Sequence, residues 1–290
     1  MEGKKLEEFP ARPRTEICYK LLMFTAAITG MALLSSFYPV WGNVPLIVIP
    51  SLLTLFFAKP VFFEKMKLTT LVVMRVLVVL AAFRLFNPQV YVDLILLALI
   101  INILEATFTD FFRYKKIWNG ISGIALAVGV IALKGVWLPE GQLPFGMDYY
   151  LVGGPGLVTI FYIIAYTIWN WIFVTDEFSP SVALMHVGFL TAPIIGCICT
   201  LGMGPLGGFQ MWLLLRACTL SIGGWLQIGI KGWFEREFYD EKFAKFVDWV
   251  HTTPVQVVCM IINVGLMVAA IIIAYQAGAI GFELKPLFLG

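Results

Sequence analysis

Four ionisable side chains interrupt two neighbouring apolar runs: Arg75 and Arg84 in the first, Asp93 and Glu105 in the second. The short turn Asn87-Pro88-Gln89 between them predicts an antiparallel hairpin, in which residues at equal depth have nearly constant summed numbers. On that rule Arg84 lies level with Asp93 and Arg75 with Glu105, each within about a helical turn at 1.5 Å rise per residue. Two ion pairs would fix the hairpin's register. Alternatively, Arg75 and Glu105, with Asn102 three residues before the acid, would form part of a polar site. Thr107, Thr109 and Asp110 continue the polar face beyond Glu105 and suggest a watery vestibule.

Arg216 stands in Trp212-Leu-Leu-Leu-Arg216-Ala-Cys218-Thr219, with no acid at three or four residues on either side. Its counter-charge must come from another helix, from helix-end carbonyls or from a bound anion. Snorkelling to the surface is the alternative. An arginine suits an anion because it stays charged and presents several donors in a planar fork. Trp169-Asn170-Trp171 adds an amide at the end of one apolar run, and Asp176, Glu177, Ser179, Ser181 and His186 follow. His186 is the one imidazole within an apolar run, so Glu105, His186, Asp176 and Glu177 are the candidates for a proton relay. The plainer readings are a packed histidine and a solvated loop, with Ser179 as N-cap and Pro180 opening the next helix. The candidate binding residues are therefore Arg216, Glu105, Asn102, Arg75 and Asn170.

Such groups need elements to hold them, and the composition says what those elements are. Hydrophobic residues make up 60% of the 290-residue chain and charged residues only 13%. A soluble domain carries about 25% charged residues, so lipid must be the solvent for most of the chain. A span takes about 20 apolar residues, and such runs fall at residues 17–38, 44–63, 68–86, 90–112, 117–136, 149–174, 181–201, 208–230 and 254–276. The expected fold is all-α, a polytopic membrane bundle of about nine spans, with a cytoplasmic segment 1–16 and an external tail 277–290. The first run lacks a small-residue cleavage pattern and reads as a span.

The positive-inside rule supports that orientation. Thirteen cations (Lys4, Lys5, Arg12, Arg14, Lys65, Lys67, Arg113, Lys115, Lys116, Lys231, Arg236, Lys242, Lys245) fall on the inner side and two, Lys134 and Lys285, on the outer. The inner loop Thr175–Pro180 is the exception, carrying Asp176 and Glu177 without a cation. Within 232–251, Tyr239, Phe243, Phe246 and Val250 share one face and Asp240, Glu241 and Asp248 another, which predicts a single amphipathic helix on the inner interface. Gly153-Gly154-Pro155-Gly156, and the cluster Pro193, Gly196, Gly202, Gly204, Pro205, Gly207 and Gly208, predict broken sixth and seventh helices walling an outer pocket at Arg216. Gly223 and Gly224 predict close helix packing.

Several chemistries are excluded. No mid-span lysine is present for a retinal Schiff base, two histidines are too few for H-E-x-x-H or a bis-histidine haem, and no Walker A string occurs. The five cysteines show no C-x-x-C spacing and read as small hydrophobes. No cofactor and no metal are expected. The net charge of +2 gives no case for nucleic acid, and the absence of an N-x-S/T sequon suits a bacterial plasma membrane. The partners expected are the lipid bilayer and a small polar solute or ion, with the oligomeric state open.

Three functions remain. The first is a transporter or channel for a small polar or anionic solute or ion, coupled to protons or cations. The second is an intramembrane enzyme acting on a lipid or apolar substrate with His186 and nearby acids. The third is a structural or partner-binding subunit. The topology is checked by impermeant thiol labelling of Lys5→Cys and Glu283→Cys, which are expected to react from opposite faces. Reaction from the same face means an even number of spans.

Overall fold

The computed structural model describes residues 12–280 except 86, 135, 139–149, 153–155 and 205–206. The chain is a bundle of helices: α1 (Arg14–Phe37), α2 (Pro39–Asn43), α3 (Ile49–Phe57), α4 (Phe62–Ala82), α5 (Pro88–Thr109), α6 (Ile117–Gly129), α7 (Gly156–Glu177), α8 (Pro180–Cys199), α9 (Trp212–Gly229), α10 (Lys231–Glu237), α11 (Glu241–Val250) and α12 (Thr253–Gln276). Seven of the described helical stretches are long and apolar enough to cross a membrane. They are α1, Pro39–Phe57, Gln89–Tyr114, α7, α8, Gly208–Gly229 and α12. The other two apolar runs of the sequence are also helical but fall outside that set. Helix α4 carries Glu64, Lys65, Lys67 and Arg75, and Ile117–Leu133 is shorter.

The fifth and sixth runs need correcting at their facing ends. Helix α6 tightens into a 3-10 turn over Val130–Leu133 and stops there, short of residue 136. Val136–Leu138 instead pairs antiparallel with Tyr150–Val152, so α7 starts at Gly156 and not at 149. In both strands the backbone bonds go across to a partner strand, which a helix turn there would forfeit. Gly153, Gly154 and Pro155, read as a helix break, lie outside the described residues, as do most of segments 1–16 and 277–290 and Pro205 of the second glycine-proline cluster.

Prolines shape the rest. Pro45 and Pro50 each lack a backbone donor, and Pro39–Phe57 passes through a π-helical turn, Val44–Val48, between α2 and α3. Asn43 closes α2 just before that turn, and its amide nitrogen donates to the carbonyls of Ser35 (2.9 Å) and Pro39 (2.7 Å). Asn87 caps α5 by accepting from the Gln89 amide (3.1 Å), and Pro88 occupies the first helical position. Ser179 does precede Pro180 at the start of α8, but its hydroxyl makes no cap bond.

The seventh helix is not broken. Helix α8 runs through Pro193 to Cys199, and the glycines that follow form a turn in which Gly202, Gly204 and Gly208 have positive φ. Gly223 and Gly224 do permit close packing. A Cβ at Gly223 would lie 3.2 Å from the Phe189 ring of α8, and one at Gly224 would lie 3.0 Å from Leu71 of α4.

The amphipathic segment is two helices rather than one. It bends at Phe238–Asp240, where Asp240 accepts from the Phe243 amide (2.8 Å) to cap α11 and also accepts from Arg14 Nε and Nη2 (2.7 and 2.9 Å). Arg12 reaches Glu237 at 2.8 Å, and Lys20 pairs with the same carboxylate. Trp171 of α7 packs against Phe243 and Phe246. The ends of α1, α7 and α8 are thereby clamped against α10 and α11, at what we call the basic end of the bundle.

His251, which closes α11, adds a second tie to α7 and brings the start of α6 into that end. Thr175 donates to the Ile172 carbonyl (2.6 Å) and accepts from His251 Nε2 (3.0 Å), while Lys116 Nζ donates to His251 Nδ1 (3.1 Å). The imidazole is neutral in this arrangement. Burial first, and then the Lys116 ammonium, push its pKa down to about 4 from the ordinary 6.5, against an opposite pull from Asp248. Between about pH 6.5 and pH 4 the unfolded chain therefore binds a proton that the folded chain refuses, so stability falls as pH falls through that window. Thermal unfolding in nanodiscs is expected to show this fall. In His251→Gln the slope between those pH values should be shallower, and an unchanged slope would remove His251 from the explanation.

Candidate functional site

Three buried helices meet at Arg216. Its side chain is 3% exposed, and its Nη2 donates to Asn170 Oδ1 of α7 (3.0 Å) while Nη1 donates to Thr219 Oγ1 (3.2 Å). A longer Nη1 bond (3.4 Å) reaches the carbonyl of Phe189 in α8. That carbonyl is available for a sequence reason. It lies four residues before Pro193, whose missing N–H would otherwise have claimed it. The proline read as a helix break instead supplies an acceptor to the arginine. Tyr166 of α7 adds its ring face, 5.2 Å from the guanidinium carbon.

No carboxylate among the described residues comes within 4.0 Å of Arg216. Its partners are neutral. A guanidinium has five N–H donors, three bonds are made here, and Nε is buried without any partner.

The amide of Asn170 passes the network on. Its Oδ1 also receives His186 Nε2 (2.9 Å), and Gln227 Nε2 donates to His186 Nδ1 (2.7 Å). With Nδ1 accepting, the ring proton sits on Nε2, so the contacts specify one neutral tautomer. Arg216, Asn170, His186 and Gln227 thus form a chain of polar groups across α7, α8 and α9, each at most 6% exposed. Gln227 was not singled out by the sequence. A lone amide eleven residues after Arg216, on the same face at three turns, was the available signal.

Two adjacent chambers border this chain. The smaller, about 20 Å³, lies between α4, α5, α7 and α9, and Met74, Ile95, Leu99, Trp212 and Arg216 help to line it. The larger, about 80 Å³, has Asn170, His186 and Gln227 in its wall and reaches Lys67, Glu177 and Phe178 at the basic end. Leu71, Asn102 and Leu220 belong to both walls. Lys67 Nζ and Glu177 Oε1 are 2.6 Å apart there, with the ammonium over the Phe173 ring.

Of the candidate residues, Arg216, Asn102, Asn170, His186 and Glu177 line this cleft. Its walls differ from expectation. They come from α4, α5, α7 and α9, with His186 of α8, rather than from the outer ends of broken helices, and the larger chamber leads towards the basic end.

The two predicted hairpin ion pairs do not form. Arg75 is fully buried, and its Nη1 lies 3.3 Å from Asn43 Oδ1 and 3.1 Å from Cys218 Sγ. Asp93 has Lys134 at 3.9 Å. The depth rule places residues along the membrane normal but ignores helical phase. Arg75 turns from α5 towards α2 and α9, and so lies outside the cleft. Glu105 is half-buried, with Oε1 unpartnered, and senses the charges of Lys67 and Glu177 without lining either chamber. Asp176 faces away from His186. It lies 3.3 Å from Lys116 and 3.6 Å from His251. An acid–base pair of His186 with Asp176 or Glu177 is therefore not assembled, since both imidazole nitrogens are held by amides.

Asn170 is the junction of the network, so Asn170→Leu leaves buried donors of both Arg216 and His186 without an acceptor. Each orphaned group is expected to cost about 1–3 kcal/mol. Thermal or denaturant unfolding of the purified variant measures the loss, and Asn170→Asp, which supplies an acceptor and a counter-charge, is expected to be more stable than Asn170→Leu.

Comparison with known proteins gave no matching family model, no matching curated protein and no matching solved structure, so the reading of this site rests on its own geometry.

Proposed function

We propose that this protein is a membrane transporter or channel that carries a small polar or anionic solute through the cleft between α4–α5 and α7–α9. One observation carries the reading: a buried guanidinium borders the cleft and has neutral partners only among the described residues. Burying one unpaired charge costs several kcal/mol, and a solute that brings negative charge to Arg216 recovers part of that cost. The shared wall of the two chambers supports a continuous path from Arg216 towards the basic end. At the end of that path Lys67 and Glu177 pair between α4 and α7, so the contact would break if those helices separated. Glu105, near this pair and with an unpartnered oxygen, is the group we assign to proton or cation coupling. In this reading the chain crosses a bacterial plasma membrane nine times, and the positive-inside rule turns the basic end to the cytoplasm.

Transport requires that the middle of the cleft be reachable from each side in turn. Asn102, in the wall of both chambers, is the position to test. A single Asn102→Cys on a background without the five native cysteines is treated with a membrane-impermeant maleimide in right-side-out and in inverted vesicles. Labelling is expected from both faces. Labelling from one face only, or from neither, overturns the transport reading.

A further inference from the structure

A groove of about 360 Å³, which shares no residue with the cleft, opens between α1, α8 and α11 at the basic end. Its wall changes character along α1. Arg14 stands at the helix start, and Ile17, Cys18 and Leu21 follow it in the lining. Seven residues at 1.5 Å each put Leu21 about 10 Å further along the helix than Arg14. Leu184, one turn into α8, adds to the apolar floor, and α11 contributes Lys242 from its first turn and the rings of Phe243 and Phe246. A phospholipid has the same order, a charged headgroup followed by apolar chains.

Both cations retain binding capacity. Arg14 gives Nε and one Nη2 hydrogen to Asp240, which leaves three of its five N–H donors. These lie on Nη1 and Nη2, the edge of the fork that can take two phosphate oxygens. The Asp240 charge is met by Arg14 and by the Phe243 amide at 2.8 Å. Lys242 is exposed and has no carboxylate within 4.0 Å among the described residues, since the adjacent Glu241 is held by Lys245 at 2.7 Å. The groove thus carries one uncompensated positive charge.

Its surroundings are apolar. Tyr19, Leu22 and Met23 of α1 are each more than half exposed, so the groove opens onto a lipid-facing surface. Phe246 and Trp249, both exposed and stacked with centroids 5.7 Å apart, extend the α11 surface beside it, as aromatic rings do at headgroup level.

We propose that this groove binds one anionic phospholipid, with its phosphate on Arg14 and Lys242 and the root of an acyl chain along Leu21 and Leu184. The volume holds roughly a dozen non-hydrogen groups at about 30 Å³ each, enough for a phosphate and its glycerol backbone. The site does not depend on the transport reading.

The experiment titrates the purified full chain in a neutral detergent with phosphatidylglycerol or phosphatidylcholine of identical acyl chains, and native mass spectrometry counts the lipids bound. One phosphatidylglycerol is expected to bind at least tenfold more tightly than phosphatidylcholine. Lys242→Gln should cut that preference about fivefold, the effect of one basic side chain at a charged membrane surface. Cys18→Trp, which fills the groove and leaves both cations in place, should weaken phosphatidylglycerol at least fivefold. Both positions are exposed, and an unchanged Tm shows that each variant is folded.

Equal binding of the two lipids overturns the anionic selectivity. A preference untouched by both Lys242→Gln and Cys18→Trp places the lipid elsewhere and overturns the groove as its site. Displacement of phosphatidylglycerol by glycerol phosphate or inorganic phosphate at the lipid's own concentration assigns the groove to a soluble phosphate and overturns the lipid. A dimer that shuts the lipid out assigns it to a second copy of the chain, with the same consequence.

Discussion

The guanidinium of Arg216 is a full charge in a place where little else is charged. At an effective dielectric constant of about 20 an opposite charge 4 Å away would contribute about 4 kcal/mol, and no such charge stands there among the described residues. The protein spreads the cation over dipoles instead: an amide from α7, a carbonyl from α8 released by Pro193, a hydroxyl from α9 and the face of Tyr166. Each of those acceptors belongs to a defined helix. The charge consequently fixes how α7, α8 and α9 sit against one another, and the remaining polar residues of the core follow from it. Asn170 accepts twice because it serves both Arg216 and His186, and His186 takes one tautomer because Gln227 donates from the other side.

Much of this was legible in the sequence. A bundle of apolar helices follows from composition and run length, and Arg216, Asn170, His186 and Asn102 stood out as polar letters in runs that lipid should have kept apolar. Their grouping was less legible. Which residues share a depth can be counted along a helix, but which face each helix turns to its neighbours depends on packing. Phe189 sets the closeness of α8 to α9 at Gly223, and Leu71 that of α4 to α9 at Gly224. In the resulting packing Arg75 turns towards Asn43 and Cys218 and away from Glu105. Asn43 carried no warning of its role, because a single amide beside Gly42 and Pro45 reads as part of a turn.

Neutral partners have a consequence that carboxylate partners would not. A buried ion pair is electrically complete, and a third charge entering it must displace one member. Arg216 holds its acceptors by hydrogen bonds alone, and its Nε has none. The site is thus held by hydrogen bonds and incomplete in charge, which is what supports the anionic solute proposed above. Arg75 shows what the same residue type does without a cavity. It too is buried and bonded to neutral atoms, but neither chamber reaches it, and its part is to join α2, α4 and α9.

The acidic exception among the basic segments at this end of the bundle is explained by the same packing. Asp176 and Glu177 are adjacent in sequence, and successive residues of a helix point about 100° apart. At the end of α7 that divergence sends the two carboxylates to different helices: Asp176 to Lys116 at the start of α6 and to His251 after α11, Glu177 to Lys67 of α4. The loop has no cation of its own because its cations arrive from two other segments, with the neutral His251 imidazole beside one of them. One of these contacts, Lys67 with Glu177, stands in the wall of the larger chamber, whereas the other is packed against the amphipathic helices. Helix α7 therefore carries the cleft on one side through Asn170 and Glu177 and the anchoring of the basic end on the other through Thr175 and Asp176. A change in how α4 meets α7 at the mouth of the cleft would be felt first at Glu177, one residue from the group that holds α7 to α6 and α11.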